Sequence, residues 1–278
     1  MEQPTLCPTQ AVGPDTELLP AYVPLPGLGV LPVNAFLIRA REPVLVDSGL
    51  AALREDFMAA LRQLIDPADL RWIWITHADA DHVGNLRAVL AEAPQARIVT
   101  NYLGLGKLSL QQLPLDRTYL LNPGQALQVG DRELLAQRPP LYDAPETMGL
   151  FDTRTRQLIS SDSFGAVMDR PAESASAIPA VDLRAGMTLW ASIDAPWLAH
   201  IGRDHLVETF RALRHLSPRT ILSSHLPPAT GINGALFDCV IAAREAPTFV
   251  GPDQAALEQA MAEQAMAEQA RSLEALAA

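Results

Sequence analysis

Residues 72–85 read Trp72-Ile73-Trp74-Ile75-Thr76-His77-Ala78-Asp79-Ala80-Asp81-His82-Val83-Gly84-Asn85. The first four are bulky and apolar, and they predict a short buried strand. The run then breaks into four potential metal ligands within six residues: His77, Asp79, Asp81 and His82. A rigid strand that ends in a loop is a common mount for reactive side chains. Asp81 also has a simpler role open to it, capping a helix that follows.

The same pattern, an apolar run ending in a ligand type, recurs on both sides. Upstream, 35–38 and 44–46 flank a polar turn and predict a β-hairpin. Its second strand ends in Asp47-Ser48-Gly49. Asp47 is expected to stand behind the ligands and orient one of them by hydrogen bonding. Leu53, Phe57, Leu61 and Leu64 fall at helical spacing over 51–65. Downstream, the pattern predicts a helix over 84–91, a strand at 97–100 and a leucine-rich helix or lid over 102–112. Strands follow near 120, 127–129 and 133–136, the last two joined at Gly130-Asp131, a turn pair.

A second hairpin, 148–151 with 157–160, is preceded by Asp143 and followed by Asp162. Antiparallel neighbours entered and left at one edge would bring both carboxylates to that edge. Tyr142, beside Asp143, is expected to support it. A last strand at 220–223 delivers Ser224-His225, so His225 joins the set. His205 and His215 lie on an amphipathic helix, 204–216, and read as ordinary surface or partly buried histidines. Residues 1–30 give little periodic signal. Residues 166–200 read as irregular and, following Asp162, as contributors to a substrate pocket. Beyond Pro252, Ala-Met-Ala-Glu-Gln occurs twice, at 260 and 265, which is strong helix-forming chemistry. The chain therefore divides into a domain over 1–250 and a helical tail over 251–278.

Composition narrows the function classes. Of 278 residues, 49% are hydrophobic, enough for a substantial core. The net charge is −11 and Lys107 is the single lysine, which argues against a nucleic-acid partner. No apolar run approaches the roughly 20 residues that span a membrane, and the N-terminus lacks the basic and apolar segments of a signal peptide. A cytoplasmic protein is the expectation. Cys7 and Cys239 give no disulfide framework.

The set His77, Asp79, Asp81, His82, Asp143, Asp162 and His225 resembles that of the metallo-β-lactamase superfamily, whose first motif is T-H-x-H-x-D-H at a strand end. The resemblance runs from about Val33 to Gly231 and implies an αββα sandwich, two packed mixed β-sheets flanked by helices. A narrower branch is more similar still: the diiron domain of flavodiiron proteins and stand-alone oxygen-binding diiron proteins. There the second motif position carries a carboxylate, as Asp79 does here. Asp143-Ala-Pro-Glu-Thr-Met148 resembles that branch's H-W-P-D-S-M, and Leu158-Ile-Ser-Ser-Asp162-Ser-Phe-Gly165 its L-F-S-N-D-A-F-G. This chain departs from the branch in carrying Asp79 for the usual Glu and Asp143 for the usual His.

The resemblance implies two metal ions. His77, Asp79 and Asp143 would hold one, Asp81, His82 and His225 the other, and Asp162 would bridge them. Three imidazoles and four carboxylates suit iron, with manganese or zinc as alternatives. Asp143 in place of a neutral imidazole adds negative charge and would lower a reduction potential. The implied function is binding, sensing or reduction of O2 or NO. No FMN domain is recognised in the sequence, so electrons would come from a separate donor protein, and a homodimer is expected. The competing reading is a metal-dependent hydrolase, in which a metal-bridging hydroxide attacks an ester, lactone or phosphodiester.

Overall fold

In the computed structural model the described residues are 3–259, 261, 262 and 266. The first sheet contains β1 (Thr5–Leu6), β2 (Gln10–Ala11), β3 (Thr16–Leu25), β4 (Gly29–Ile38), β5 (Val44–Val46), β6 (Trp72–Trp74), β7 (Arg97–Thr100) and β8 (Thr118–Leu120). Its order is β1-β3-β4-β5-β6-β7-β8, with β2 also on β3. Pairing is antiparallel as far as β5 and parallel from β5 to β8. The second sheet holds β9 (Ala126–Gln128), β10 (Glu133–Gln137), β11 (Gly149–Asp152), β12 (Gln157–Ile159), β13 (Thr220–Leu222) and β14 (Ala229–Thr230). They lie in the order β14-β13-β12-β11-β10-β9, and only the β12–β13 pair is parallel.

Alternation along the strands explains why the sheets stack between helices. The helices are α1 (Arg54–Leu64), α2 (Ala80–Val83), α3 (Leu86–Glu92), α4 (Tyr102–Leu110), α5 (Ala180–Asp194), α6 (Arg203–Leu216) and α7 (Asn233–Ala243). Ala35, Leu37, Leu45 and Ile73 face an outer core with Phe57 and Leu61 of α1 and Leu86 and Val89 of α3. Their alternates Phe36, Ile38, Val44, Val46 and Trp74 face inward, onto Leu134, Leu150, Ile159 and Leu222 of the second sheet. On the far side Phe151, Leu158 and Ile221 meet Leu183, Phe210 and Phe237 of α5, α6 and α7. Both faces of each sheet are therefore buried, the condition under which strands read as apolar runs. The result is the helix–sheet–sheet–helix sandwich that the resemblance implies.

Two stretches differ from expectation. Residues 166–200 are not irregular: α5 occupies Ala180–Asp194, with short 3₁₀ turns at Ala175–Ala177 and Pro196–His200. Its buried face consists of Leu183, Gly186, Met187 and Ala191. Two of these four are too small to mark an apolar stripe, while Val181 is 73% exposed on the outside. Gly186 explains the small face, since a Cβ there would stand 2.1 Å from the Val167 carbonyl oxygen. Residues 16–25 form a ten-residue strand in spite of Pro20 and Pro24. Only the two-residue β1 and β2 cover the outer side of β3, a position where prolines are tolerated. Residues 254–259, 261, 262 and 266 are helical, and most of the expected tail, including most of the tandem repeat, lies outside the described residues.

Candidate metal centre

The strands β6, β12 and β13 all deliver ligand types from their C-terminal ends, at one edge of the sandwich. Asp47 follows β5 in the left-handed region (φ +59°), where an Asp is better tolerated than most residues. Ser48 donates its N–H and its hydroxyl to the His82 carbonyl, and Asn85 donates to the Ser48 carbonyl at 2.7 Å. Gly84 makes this clasp possible, because a Cβ there would lie 2.3 Å from the Ala51 nitrogen. The turn 47–51 and the ligand loop 77–85 are thereby fixed to each other. Ser161 (φ +53°) and Phe164 (φ +69°) flank Asp162 in left-handed conformations. Such strain collects where the surroundings dictate a side chain's position.

Each histidine is oriented from behind. His82 Nδ1 lies 2.8 Å from Asp47 Oδ2, which leaves Nε2 facing the site. His225 Nδ1 lies 2.7 Å from the Pro32 carbonyl, again leaving Nε2 forward. His77 Nδ1 has Ser161 Oγ at 3.2 Å and Thr76 Oγ1 at 3.3 Å. Asp47 also accepts from Thr76, through its N–H at 2.8 Å and its hydroxyl at 2.7 Å. A partner on the rear nitrogen is the usual mark of an imidazole set to bind a metal.

The three forward nitrogens converge on one carboxylate. Asp162 Oδ2 lies 3.3 Å from His77 Nε2, and Oδ1 lies 3.2 Å from His82 Nε2 and 3.3 Å from His225 Nε2. Asp81 Oδ2 lies 3.4 Å from His82 Nε2 and 3.6 Å from His225 Nε2. Asp79 precedes α2 as its N-cap residue, yet its side chain makes no capping hydrogen bond. Asp81 lies inside α2, in its first turn, and so is not the residue that caps it. Candidate ligand atoms fall within 4.8 Å of one another in several groups: His77, Asp79 and Asp143; Asp81, His82 and His225; and His77, His82 and Asp162. All seven side chains singled out in the sequence come together.

Charge and hydrogen bonding fit a metal pair. His82 Nε2 and Asp162 Oδ1 are both buried and without a hydrogen-bond partner, a costly state that a coordinated cation would relieve. Burial would raise the pKa of Asp162, but His77, His82 and His225 outweigh it and hold the carboxyl well below the usual range. Burial likewise opposes the protonated forms of His82 and His225, yet the neighbouring carboxylates prevail. Asp81, Asp162 and Asp47 raise His82 well above its ordinary value, and Asp162 lifts His225 to about 9. Burial would raise Asp81 too, but His82 and His225 hold it low. Imidazoles and carboxylates are thus paired as though a positive charge belonged between them.

Three groups in or around this cluster were not legible from strand ends. Asp194, the last residue of α5, forms a further carboxylate group with Asp143 and Asp162. Burial and the nearby Asp162 push it up to about 8. Trp190, one turn earlier, donates from Nε1 to the Asp162 carbonyl at 3.1 Å and packs on the His225 ring at 4.6 Å. Lys107 of α4 pairs with the buried Glu146 at 2.7 Å. Tyr142 packs on the Trp197 ring at 5.2 Å, with the Arg138 guanidinium over its face.

Residues 28–144 match the family model described as Metallo-beta-lactamase superfamily. Among curated relatives, a nitric oxide reductase of Moorella thermoacetica is 26% identical over 133 residues, 48% of this chain and 33% of that protein. An anaerobic nitric oxide reductase flavorubredoxin of Salmonella typhi is 29% identical over 134 residues, 48% of this chain and 28% of that protein. The chain thus matches about a third of the length of these relatives. Among solved structures, the rubredoxin oxygen:oxidoreductase of Desulfovibrio gigas superposes with a TM-score of 0.76 at 20% identity. That alignment covers 86% of this chain and 62% of the other, and it is a likeness of fold. Among the described residues no helix is long and apolar enough to cross a membrane.

Proposed function

For a chain that carries a metallo-beta-lactamase superfamily domain, we propose a dinuclear non-haem iron protein that binds or reduces O2 or NO. The observation that carries this reading is the division of Asp162, one oxygen towards His77 and the other towards His82 and His225. That is the disposition of a carboxylate shared by two ions. His77, Asp79 and Asp143 would hold the first ion, and Asp81, His82 and His225 the second. The metal-binding unit is the domain over residues 1–250.

The donor chemistry supports iron over zinc. Four carboxylates and three imidazoles, with no thiolate, form an oxygen-rich sphere that suits Fe or Mn. The named relatives, a nitric oxide reductase and a rubredoxin oxygen:oxidoreductase, support a diatomic substrate. When bound, an iron pair would supply the coordination sites and electrons for a diatomic ligand. The chain's own residues do the rest. Asp47, Ser161 and the Pro32 carbonyl hold the imidazoles in one orientation. Trp190 packs on the His225 ring and donates to the Asp162 carbonyl, which steadies both. Reduction further requires an electron donor, which in this reading is a partner protein.

The test is anaerobic purification, metal analysis and exposure to O2 under a visible spectrometer. Two irons per chain and a new absorption band on oxygenation are expected. Zinc, no spectral change and turnover of a generic ester or phosphodiester would overturn the reading in favour of hydrolysis. Asp162→Ala should lose both ions, and full occupancy in that variant would contradict a shared ligand.

A further inference from the structure

Helix α4 (Tyr102–Leu110) carries none of the assigned ligands, yet it is tied to both loops that supply the first ion. Asn101, its N-cap residue, accepts from the Leu103 and Gly104 N–H groups through Oδ1 and donates from Nδ2 to the Glu146 carbonyl at 2.6 Å. One side-chain amide thus starts the helix and holds the loop three residues past Asp143. At the other end Gln111, the residue that closes α4, donates from Nε2 to the Ala78 carbonyl at 2.6 Å. Ala78 stands between His77 and Asp79. The second ion's histidines are anchored elsewhere, His82 by Asp47 and His225 by the Pro32 carbonyl.

Between these two anchors α4 contributes half of a charge pair. The Glu146 side chain is fully buried, and Lys107 Nζ meets its Oε1 at 2.7 Å. Apart from that ammonium, neither Glu146 oxygen has a hydrogen-bond partner among the described residues. A buried carboxylate is costly unless it is paired, and removing its cation leaves an uncompensated charge. Burial opposes the charge of Lys107, yet Glu146, Asp79 and Asp143 together raise its pKa. Arg138 grips the same loop independently, donating to the Pro145 and Thr147 carbonyls at 2.8 and 2.7 Å. The loop's backbone therefore has a second anchor, whereas the Glu146 side chain depends on Lys107.

We propose that Lys107 and Glu146 are a positioning pair for the first ion: the ammonium holds the Glu146 carboxylate inward, and with it the segment that aims Asp143 at His77 and Asp79. The inference rests on the dinuclear reading above and assigns one helix to one of its two ions. Without the ammonium, Glu146 must take up a proton or turn out to water. Either change loosens Asp143 and leaves Asp81, His82 and His225 as they are.

The experiment uses the full chain, stripped with a chelator and titrated anaerobically with Mn2+, while electron paramagnetic resonance distinguishes one bound ion from a coupled pair. Wild type is expected to bind two Mn2+. Asp143→Ala deletes a ligand of the first ion and marks that position in the titration. Lys107→Met and Glu146→Gln should each lose about tenfold in affinity at that same position, with the other unchanged. The double variant should lose no more than the larger single loss, because the two side chains act as one unit. Lys107→Arg keeps the charge and should recover most of the loss. Arg62→Gln breaks an exposed ion pair with Glu92 and should titrate as wild type does. Circular dichroism of the metal-free variants checks folding, and Glu146→Gln, nearly unchanged in size, carries the test if Lys107→Met is unstable. Wild-type affinities at both positions in the two single variants would overturn the positioning role and leave the dinuclear reading standing. Equal losses at both positions would overturn it too, since a general loosening of the fold selects neither ion. A wild-type chain that binds no metal would overturn both.

Discussion

Asp47 serves two partners with one carboxylate: it accepts from Thr76 through both oxygens and meets His82 Nδ1 at 2.8 Å. The first contact fixes the loop that follows β6, and the second fixes the His82 tautomer. Asp47→Asn keeps a side chain that tolerates φ +59° but replaces one acceptor oxygen by a donor. We predict metal binding weaker by about 10–100-fold with little change in the circular dichroism spectrum. Metal titration of the purified variant checks it, and wild-type affinity would show that His82 needs no such support. At this scale the sequence was informative where a ligand follows an apolar strand, as at His77, Asp162 and His225. It was uninformative for Asp194 and Trp190. They reach the site from the end of a helix about thirty residues past Asp162, and nothing in their local sequence marks where that helix docks.

Among the elements, α5 is the one whose packing is least visible in its residues. It lies against the strand-like segment around Val167 so closely that Val167 N–H donates to the Gly186 carbonyl at 3.3 Å. Gly186→Ala should gain up to about 1 kcal/mol in helix propensity. It should lose more, since the new Cβ would sit 2.1 Å from a backbone oxygen that cannot rotate aside. Overpacking of this kind costs about 1–3 kcal/mol, so the net sign is destabilising. The urea midpoint should fall with an unchanged m-value; a raised midpoint would mean that α5 and the Val167 segment are further apart than described. The strands were legible because both faces of both sheets are buried and short apolar runs follow. α5 and α7 were not. The buried face of α5 is partly Gly and Ala, and α7 (Asn-Gly-Ala-Leu-Phe-Asp-Cys-Val-Ile-Ala-Ala) has too few polar residues to show a stripe.

Across the whole molecule, a second charged cluster forms around Arg132, made of residues other than the candidate metal ligands. Arg132 is buried and joins Asp15 ahead of β3, its neighbour Asp131, and Asp152 at the end of β11. It therefore ties the N-terminal strands of one sheet to the hairpins of the other. Hydrogen bonding to Arg132 is the main cause that holds Asp131 down at about 2, against an ordinary value of 3.8. A carboxyl with a depressed folded-state pKa stabilises the fold above its unfolded value, and that contribution is lost as pH falls through the folded one. Stability should thus decline between about pH 4 and about pH 2, and Asp131→Asn should decline less steeply over that window. Urea midpoints at about pH 6 and about pH 3 compare the two proteins; parallel acid limbs would assign the loss to other groups.

The parallel pairing of β12 with β13 has a consequence of a different kind. Because the two strands run the same way, Asp162 and His225 leave the sheet side by side, and everything between them is a long excursion that must return to the same register. That excursion carries α5 and α6, and with them Trp190 and Asp194. Sheet pairing alone thus fixes where Asp162 and His225 sit, while the surroundings that Trp190 and Asp194 provide depend on how the intervening segment 166–219 packs.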